Sequence, residues 1–214
     1  MARLVQEFDW SATPLGPSID WPPELKTVAR QILESRFPAA VIWGSDYVTI
    51  YNDAFRPILG DKPEALGRSF ADIWSEIWSD IGPIAERALR GEATYIEDFP
   101  LLINRSGRSE QAYFTFCYSP LRLADGSVAG FLDTVVETTA AVRARADLAL
   151  MNDELSHRLK NTLSLVQILV RQTLRGISEQ DAVAALMGRI VALGQAHDIL
   201  LNQNWSEASL VQVI

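Results

Sequence analysis

The stretch ELSHRLKN, residues 154–161, gathers the side chains of this sequence best suited to chemistry. On a helix, residues three and four apart share a face. Glu154, His157, Lys160 and Asn161 then project together, while Leu155 and Leu159 turn toward a helical bundle. A neutral, solvated imidazole is a nucleophile for phosphoryl transfer when a neighbour orients the ring and cations balance the incoming phosphate. His157 is the candidate nucleophile, and Glu154 the candidate orienting group or base. Arg158 and Lys160 are candidate phosphate-balancing cations, and Asn161 can hydrogen-bond the phosphoryl group or a water attacking in the reverse reaction. Taken alone, the same pattern also describes an ordinary solvated helix face.

A long helix must carry these residues. Leu148, Leu155, Leu159, Leu163, Val166, Leu169 and Val170 recur at three- and four-residue steps, which predicts one helix from about Thr139 to Arg175. Gly176 is placed to cap its end and Ser178 to cap the next helix, with Asp181 in the first turn. The second helix is predicted over 179–201, with Val183, Leu186, Ile190, Leu193 and Ile199 on its apolar side. A two-helix hairpin buries little core alone, so the expected form is a homodimer with a four-helix bundle.

Composition changes near Thr139, after which proline disappears. Residues 1–139 are expected to form one α+β domain, 140–203 the linker helix and hairpin, and 204–214 the start of a further domain. In the front part, apolar spacing predicts a helix over 24–35 and short strands at 40–43 and 47–51, with Asn52 or Asp53 as an N-cap. A helix is expected over 70–90, kinked or broken at Gly82-Pro83. Long strands follow at 94–104, 111–122 and 128–136, separated by turns at Arg105-Ser106-Gly107 and at 124–127. The expected fold is a five-stranded antiparallel sheet with flanking helices, followed by the all-α hairpin.

The run HRLKNTLSLVQILVRQTLR resembles the phosphoacceptor helix of the HWE family of sensor histidine kinases. That family's His-Arg-x-Lys-Asn core is matched by His157, Arg158, Lys160 and Asn161. Residues 196–200, AHDIL, then Trp205, Ala208, Ser209 and Leu210, resemble the end of the second helix and the approach to an ATP-binding domain. The resemblance covers residues 140–214. In commoner histidine kinases an acidic residue directly follows the histidine. Arg158 stands there in this chain, so the adjacent residue cannot be the base. His197 reads as a helix-packing or capping residue. The front half resembles a PAS domain, in the segment from Asp9 to Gly44 and in YNDAFRPILG. PAS domains often end in an Asp-x-Thr motif that couples the last strand to the outgoing helix. Glu137, Thr138 and Thr139 stand at that place, with a longer acidic arm.

The resemblance implies the sensory and phosphoacceptor portion of a two-component protein-histidine kinase. His157 would be autophosphorylated, and phosphate would pass to an aspartate on a response-regulator receiver domain. An ATP- and magnesium-binding domain is expected to begin near Trp205 and continue past Ile214, so the chain alone is expected to be inactive. The alternatives are a non-catalytic phosphotransfer or adaptor protein that binds a regulator, and a dimerising PAS module whose helices only join two copies.

Several ligand classes are not expected. Flavin-binding PAS domains of the LOV type carry a cysteine in the helix after the second strand, and NDAFRPILGDKPEALGRSF contains none. The single cysteine, Cys117, falls on a strand and reads as a small buried hydrophobe; it supports neither an internal disulfide nor a cysteine-based zinc site. Both histidines lie in the helical half, which leaves the front half without a ligand for a His-ligated haem. Trp43, Tyr51, Phe55 and Phe116 are among the aromatics that can line a small-molecule cavity or simply fill the core, so the signal is open between a small molecule and a protein.

The net charge of −8 sits in the front part: residues 1–139 hold 12 basic and 20 acidic side chains, and the rest hold 7 of each. That balance argues against a nucleic-acid partner. No run is apolar enough to span a bilayer, and the N-terminal residues lack the features of a signal peptide, so a cytoplasmic location away from the membrane is expected.

Overall fold

The computed structural model describes residues 1–105, 107–175 and 181–195. It comprises two units, Met1–Val142 and Arg143–Ile214. In the first unit the chain runs α1 (Ala2–Glu7), α2 (Pro23–Glu34), β1 (Ala39–Trp43), β2 (Val48–Tyr51), α3 (Arg56–Leu59), α4 (Phe70–Ile73), α5 (Trp78–Leu89), β3 (Thr94–Asn104), β4 (Ser109–Arg122) and β5 (Val128–Glu137). The strands form one antiparallel sheet in the order β2-β1-β5-β4-β3. This is the PAS-like sheet with flanking helices that the sequence predicts.

Side-chain alternation decides the two faces of the sheet. In β4, Ala112, Phe114, Phe116 and Tyr118 are buried, and in β5 so are Phe131, Asp133 and Val135. Cross-strand pairing puts Phe116 opposite Val135 and Tyr118 opposite Asp133, so all of these share one face. Phe70, Trp74, Ile77 and Ile81, from α4, α5 and their link, cover that face. Gly130 lies where β5 crosses β1 opposite Trp43; a Cβ there would fall 2.3 Å from the Ile42 carbonyl oxygen, so only glycine fits.

Asn52 holds the strand end to the helices. It is fully buried, and its carboxamide nitrogen donates to the carbonyls of Ile32, Ser35 and Phe37 at 3.1, 3.2 and 2.7 Å. Its Oδ1 accepts from the backbone N–H of Ala39 and of Phe55. One side chain thus closes the end of α2, the start of β1 and the turn toward α3. The opening segment packs as part of the same core. Trp10 and Trp21 are buried edge-to-face with ring centroids 4.8 Å apart.

The helix expected over 70–90 breaks at a different place from the one its composition indicates. Pro83 sits inside α5, and the interruption falls at Trp74. Lys62 Nζ donates to the Ile73 carbonyl at 2.8 Å, pairs with Glu76 at 2.6 Å and lies 4.8 Å from the Trp74 ring. The ammonium occupies a carbonyl that the next helical turn would use. Pro83, in the middle of α5, has no N–H to give and forfeits one backbone bond within the helix.

The second unit holds most of α6 (Thr139–Thr173) and a helix over 181–195. Along α6 the half-buried positions from the start of the second unit are Ala149, Asn152, Ser156, Leu159, Leu163, Gln167 and Val170; along the second helix they are Val183, Met187, Ile190 and Gly194. Both sets step by threes and fours, as a coiled-coil seam does. A Cβ on Gly194 would lie 3.2 Å from Leu163 Cδ1, so the two helices pack closely there. The predicted caps Gly176 and Ser178 lie outside the described residues, as do 196–201 at the end of the second predicted helix.

Asn52→Ala is expected to destabilise the first unit by about 3 kcal/mol, because it orphans several buried backbone groups. Asn52→Asp at neutral pH is expected to cost at least as much, since a carboxylate cannot donate to the three carbonyls. Urea unfolding of the two variants checks both.

Candidate functional site

Thirty-five residues without proline form α6, and His157 stands near its middle, exposed to solvent. Glu154, Arg158, Lys160 and Asn161 are exposed around it. Helical spacing puts Glu154, Lys160 and Asn161 on the His157 side, with Arg158 turned away from it by one residue step around the helix. Glu154 Oε1 accepts a 2.6 Å hydrogen bond from Arg158 Nε. The carboxylate expected to orient His157 is therefore engaged by the neighbouring guanidinium, in a solvent-exposed pair of small energetic weight. Leu159 and Leu163 form the seam toward the second helix, which leaves the imidazole facing away from it. His197 and the residues from 196 onward lie outside the described residues.

The first unit carries a cavity between the sheet and α4–α5. Its lining includes Phe55, Phe70, Trp74, Phe114, Phe116, Tyr118, Asp133 and Val135. The volume open to the centres of water-sized molecules is about 40 Å³. That holds roughly three waters. Phe55 and Phe116 line it, as the sequence proposes. Trp43 and Tyr51 do not. Trp43 pairs with Gly130 on the opposite face of β5 and lines a surface groove with Pro14, Leu15 and Trp21. Tyr51 lies on the outer strand β2 and donates its hydroxyl to Glu64.

Asp133 is the residue that reading the sequence missed. It is 4% exposed, lines the cavity, and its Oδ1 has no hydrogen-bond partner. Burial pushes its carboxyl well above the usual carboxylate range. Burial, and then the charge of Asp133, push the Tyr118 phenol upward as well. The signal was present in the pattern, because Asp133 stands at the inward parity between Phe131 and Val135.

The junction between β5 and α6 is tightly built. Arg105 donates from Nη1 and Nη2 to the two carboxylate oxygens of Glu137 at 2.6 and 2.8 Å, and from Nε to Glu110 at 2.7 Å. Thr139 donates to Glu137 Oε1 at 2.9 Å and accepts from the Tyr113 N–H at 2.9 Å, while the Thr138 N–H donates to the Tyr113 carbonyl. The hydrogen bond from Glu137, then the one from Glu110, hold the guanidinium protonated above its ordinary range, against a partial cost of burial. Glu137 and Thr139 are the pair the sequence places at a strand-to-helix coupling motif. Arg105 was read only as part of a turn.

Cys117 Sγ lies 3.3 Å from Ser119 Oγ, on the β4 parity opposite to Phe116 and Tyr118, and so faces away from the cavity. A three-ring flavin is larger than this cavity as packed. Among the described residues, no group of three or more His, Cys, Asp and Glu can hold a metal ion, and no helix is long and apolar enough to cross a membrane.

Comparison with known proteins adds the family. Over 89 residues the chain is 37% identical to a blue-light-activated histidine kinase of Brucella anthropi, which covers 41% of this chain and 18% of the relative. Over 83 residues it is 39% identical to a protein of the same description from Brucella abortus (strain 2308), covering 38% and 17%. The match thus spans less than a fifth of the length of these relatives. Among solved structures, the PAS domain of Bordetella pertussis BvgS is 17% identical with a TM-score of 0.38, covering 60% of this chain and 98% of that one. An RNA-binding light-oxygen-voltage receptor is 20% identical with a TM-score of 0.42, covering 69% and 42%. Residues 34–143 match the PAS fold and residues 154–214 match the HWE histidine kinase family. The chain belongs to the PAS fold family, whose match takes in residues 34–143.

Proposed function

We propose that this chain is the sensory and phosphoacceptor portion of a two-component histidine kinase, with His157 as the residue that takes phosphate. The match of residues 154–214 to the HWE histidine kinases, with an exposed His157 on α6, carries this reading. A ring nitrogen of His157 attacks the γ-phosphorus of ATP. The phosphorus–nitrogen bond forms, the bond to the β-phosphate oxygen breaks, and ADP leaves. Glu154 and Arg158 exchange their mutual ion pair for contacts with the ring and the phosphoryl group, while Lys160 and Asn161 hold its oxygens. A domain binding ATP and magnesium supplies the nucleotide. A receiver-domain aspartate then attacks the phosphorus, and the nitrogen–phosphorus bond breaks.

Two further features support a signalling role. The cavity is where a signal enters, and the linked groups Arg105, Glu137, Thr139 and Tyr113 tie the last strand to the helix that bears His157. A change in β5 is thereby transmitted to the start of α6. Residues 1–139 act as the sensor and 140–203 as the phosphoacceptor hairpin, with 204 onward leading to the nucleotide domain.

The hairpin works as a homodimer. Leu148, Met151, Leu155, Val166 and Leu169 are between 37% and 64% exposed in the single chain and recur along one stripe of α6 beside the seam. Such a stripe is buried when a second copy completes a bundle.

Three outcomes test this reading. The native polypeptide that contains these residues is expected to acquire an acid-labile, alkali-stable label from γ-labelled ATP, and His157→Gln to remove it; full labelling of the variant sinks the assignment. Light scattering is expected to give twice the mass of one chain. The double variant Val166→Asp/Leu169→Asp should return the single-chain mass with the first unit still folded. Glu137→Ala is expected to speed amide hydrogen exchange severalfold at residues 139–142 while leaving the sheet amides protected.

A further inference from the structure

Asp133 is a carboxyl with nothing beside it to hold a charge. It is buried in β5, and its Oδ1 has no hydrogen-bond partner. Its cross-strand neighbour on β1 is Ala40. The cavity it lines is apolar on its other sides, with Ile58 from α3, Phe70 from α4, Ile77 from the link, Ile81 from α5 and Leu101 from β3. Among the described residues that line this cavity, Tyr118 is the one other titratable group, opposite Asp133 on β4. Lys62 lies over the Trp74 ring, but it is paired with Glu76 at 2.6 Å. Burial therefore acts on the Asp133 carboxyl with no neighbouring cation to offset it.

The two protonation states ask for different packings. A neutral carboxyl fits a dry, mostly apolar wall at modest cost. A carboxylate in the same wall draws in water, because a buried charge without a partner is far more costly. The open volume beside it, about 40 Å³, has room for about three waters. We propose that Asp133 is a proton-operated switch: its neutral form keeps the sheet packed against the α4–α5 cover, and loss of its proton to solvent wets the cavity and loosens that cover. The signal is then the proton concentration around the chain. The inference rests on the reading of the first unit as a sensor, and deepens it by naming the signal.

The sign of the effect is fixed by burial. The folded carboxyl keeps its proton to a higher pH than an unfolded one. Stability from this group is whole below about pH 3.9 and is lost as pH rises through the folded value, by at most about tenfold in the folding equilibrium per pH unit.

The test titrates the purified chain from about pH 5.5 to about pH 9, beside Asp133→Asn, which keeps the shape without the titrating proton. NMR follows the Asp133 carboxyl carbon and the Tyr118 ring. Hydrogen exchange follows the α5 amides, corrected for the intrinsic pH dependence of exchange. The expected result is one step shared by carboxyl and ring, with about tenfold loss of α5 protection across it and none in Asp133→Asn. Urea unfolding is expected to show the parent losing stability relative to that variant as pH rises. Absence of a step, a step with unchanged α5 protection, an equal loss in Asp133→Asn, or the opposite slope in urea overturns the proposal. Where Asp133→Asn fails to fold, Asp133→Leu is the non-titrating variant, and the carboxyl step in the parent still decides whether Asp133 changes charge. The titration is read without ATP. Its failure leaves the kinase reading to the labelling of His157, and failure of that labelling leaves the titration standing.

Discussion

The contact on which the structure's signalling geometry depends is the forked ion pair between Arg105 and Glu137. Glu137 is the last residue of β5, and two residues later the 35-residue α6 begins. A chain leaving the end of a strand for a long helix would ordinarily swivel at the joint. Here two guanidinium nitrogens fix both carboxylate oxygens, the third holds Glu110 of β4, and the same carboxylate takes the Thr139 hydroxyl. Bidentate charge-assisted bonds constrain direction as well as distance. The Arg105 side chain is only 16% exposed, so this pair is screened less than a surface ion pair. These contacts lie within the first unit and hold the start of α6 to the last strand.

How far the sequence foretells this depends on the range of the interactions. Strands β3, β4 and β5 were legible because alternation is local: Phe114, Phe116 and Tyr118 announce an inward face without reference to anything distant. The hairpin was legible for the same reason, through leucines at three- and four-residue steps. The break at Trp74 was not, because its cause is Lys62, 11 residues away from the carbonyl it binds. Local composition pointed instead to Gly82-Pro83. Trp43, an aromatic on a strand near the core, reads equally as a cavity wall or as core filling, and its face is set by pairing with Gly130, far later in the chain. Arg105 reads as a turn residue until the fold returns Glu137 to it. In the candidate site, the residue types around His157 were visible as a motif. Their engagement with one another, with Arg158 on Glu154, needed side-chain geometry.

Asp133 and the exposed stripe of α6 place opposite demands on stability, and together they describe a molecule suited to switching. An unpaired carboxyl in the core costs the first unit free energy that a donor would return. A ligand shifts a conformational equilibrium only by its differential affinity for the two states. A cavity whose polar group is already satisfied offers a ligand little to gain, whereas an orphaned acceptor makes the bound state distinct in energy. The second unit has the converse arrangement: among the described residues its apolar stripe is exposed, and in the proposed dimer helix stability there comes from association more than from propensity.

The joint at Glu137 lies between these two marginal elements, and that ordering has a physical consequence. If the sheet were rigid and fully satisfied, a stiff joint would only fix α6 in one orientation. If the hairpin were rigidly packed by itself, a moving joint would only strain it. In the proposed function, the linkage at Glu137 joins the sheet to an α6 whose packing is completed by a second copy. The covalent order of the chain supplies the route. Asp133 and Glu137 share β5, four residues apart on one parity, so the strand that lines the cavity is also the strand that holds the start of α6.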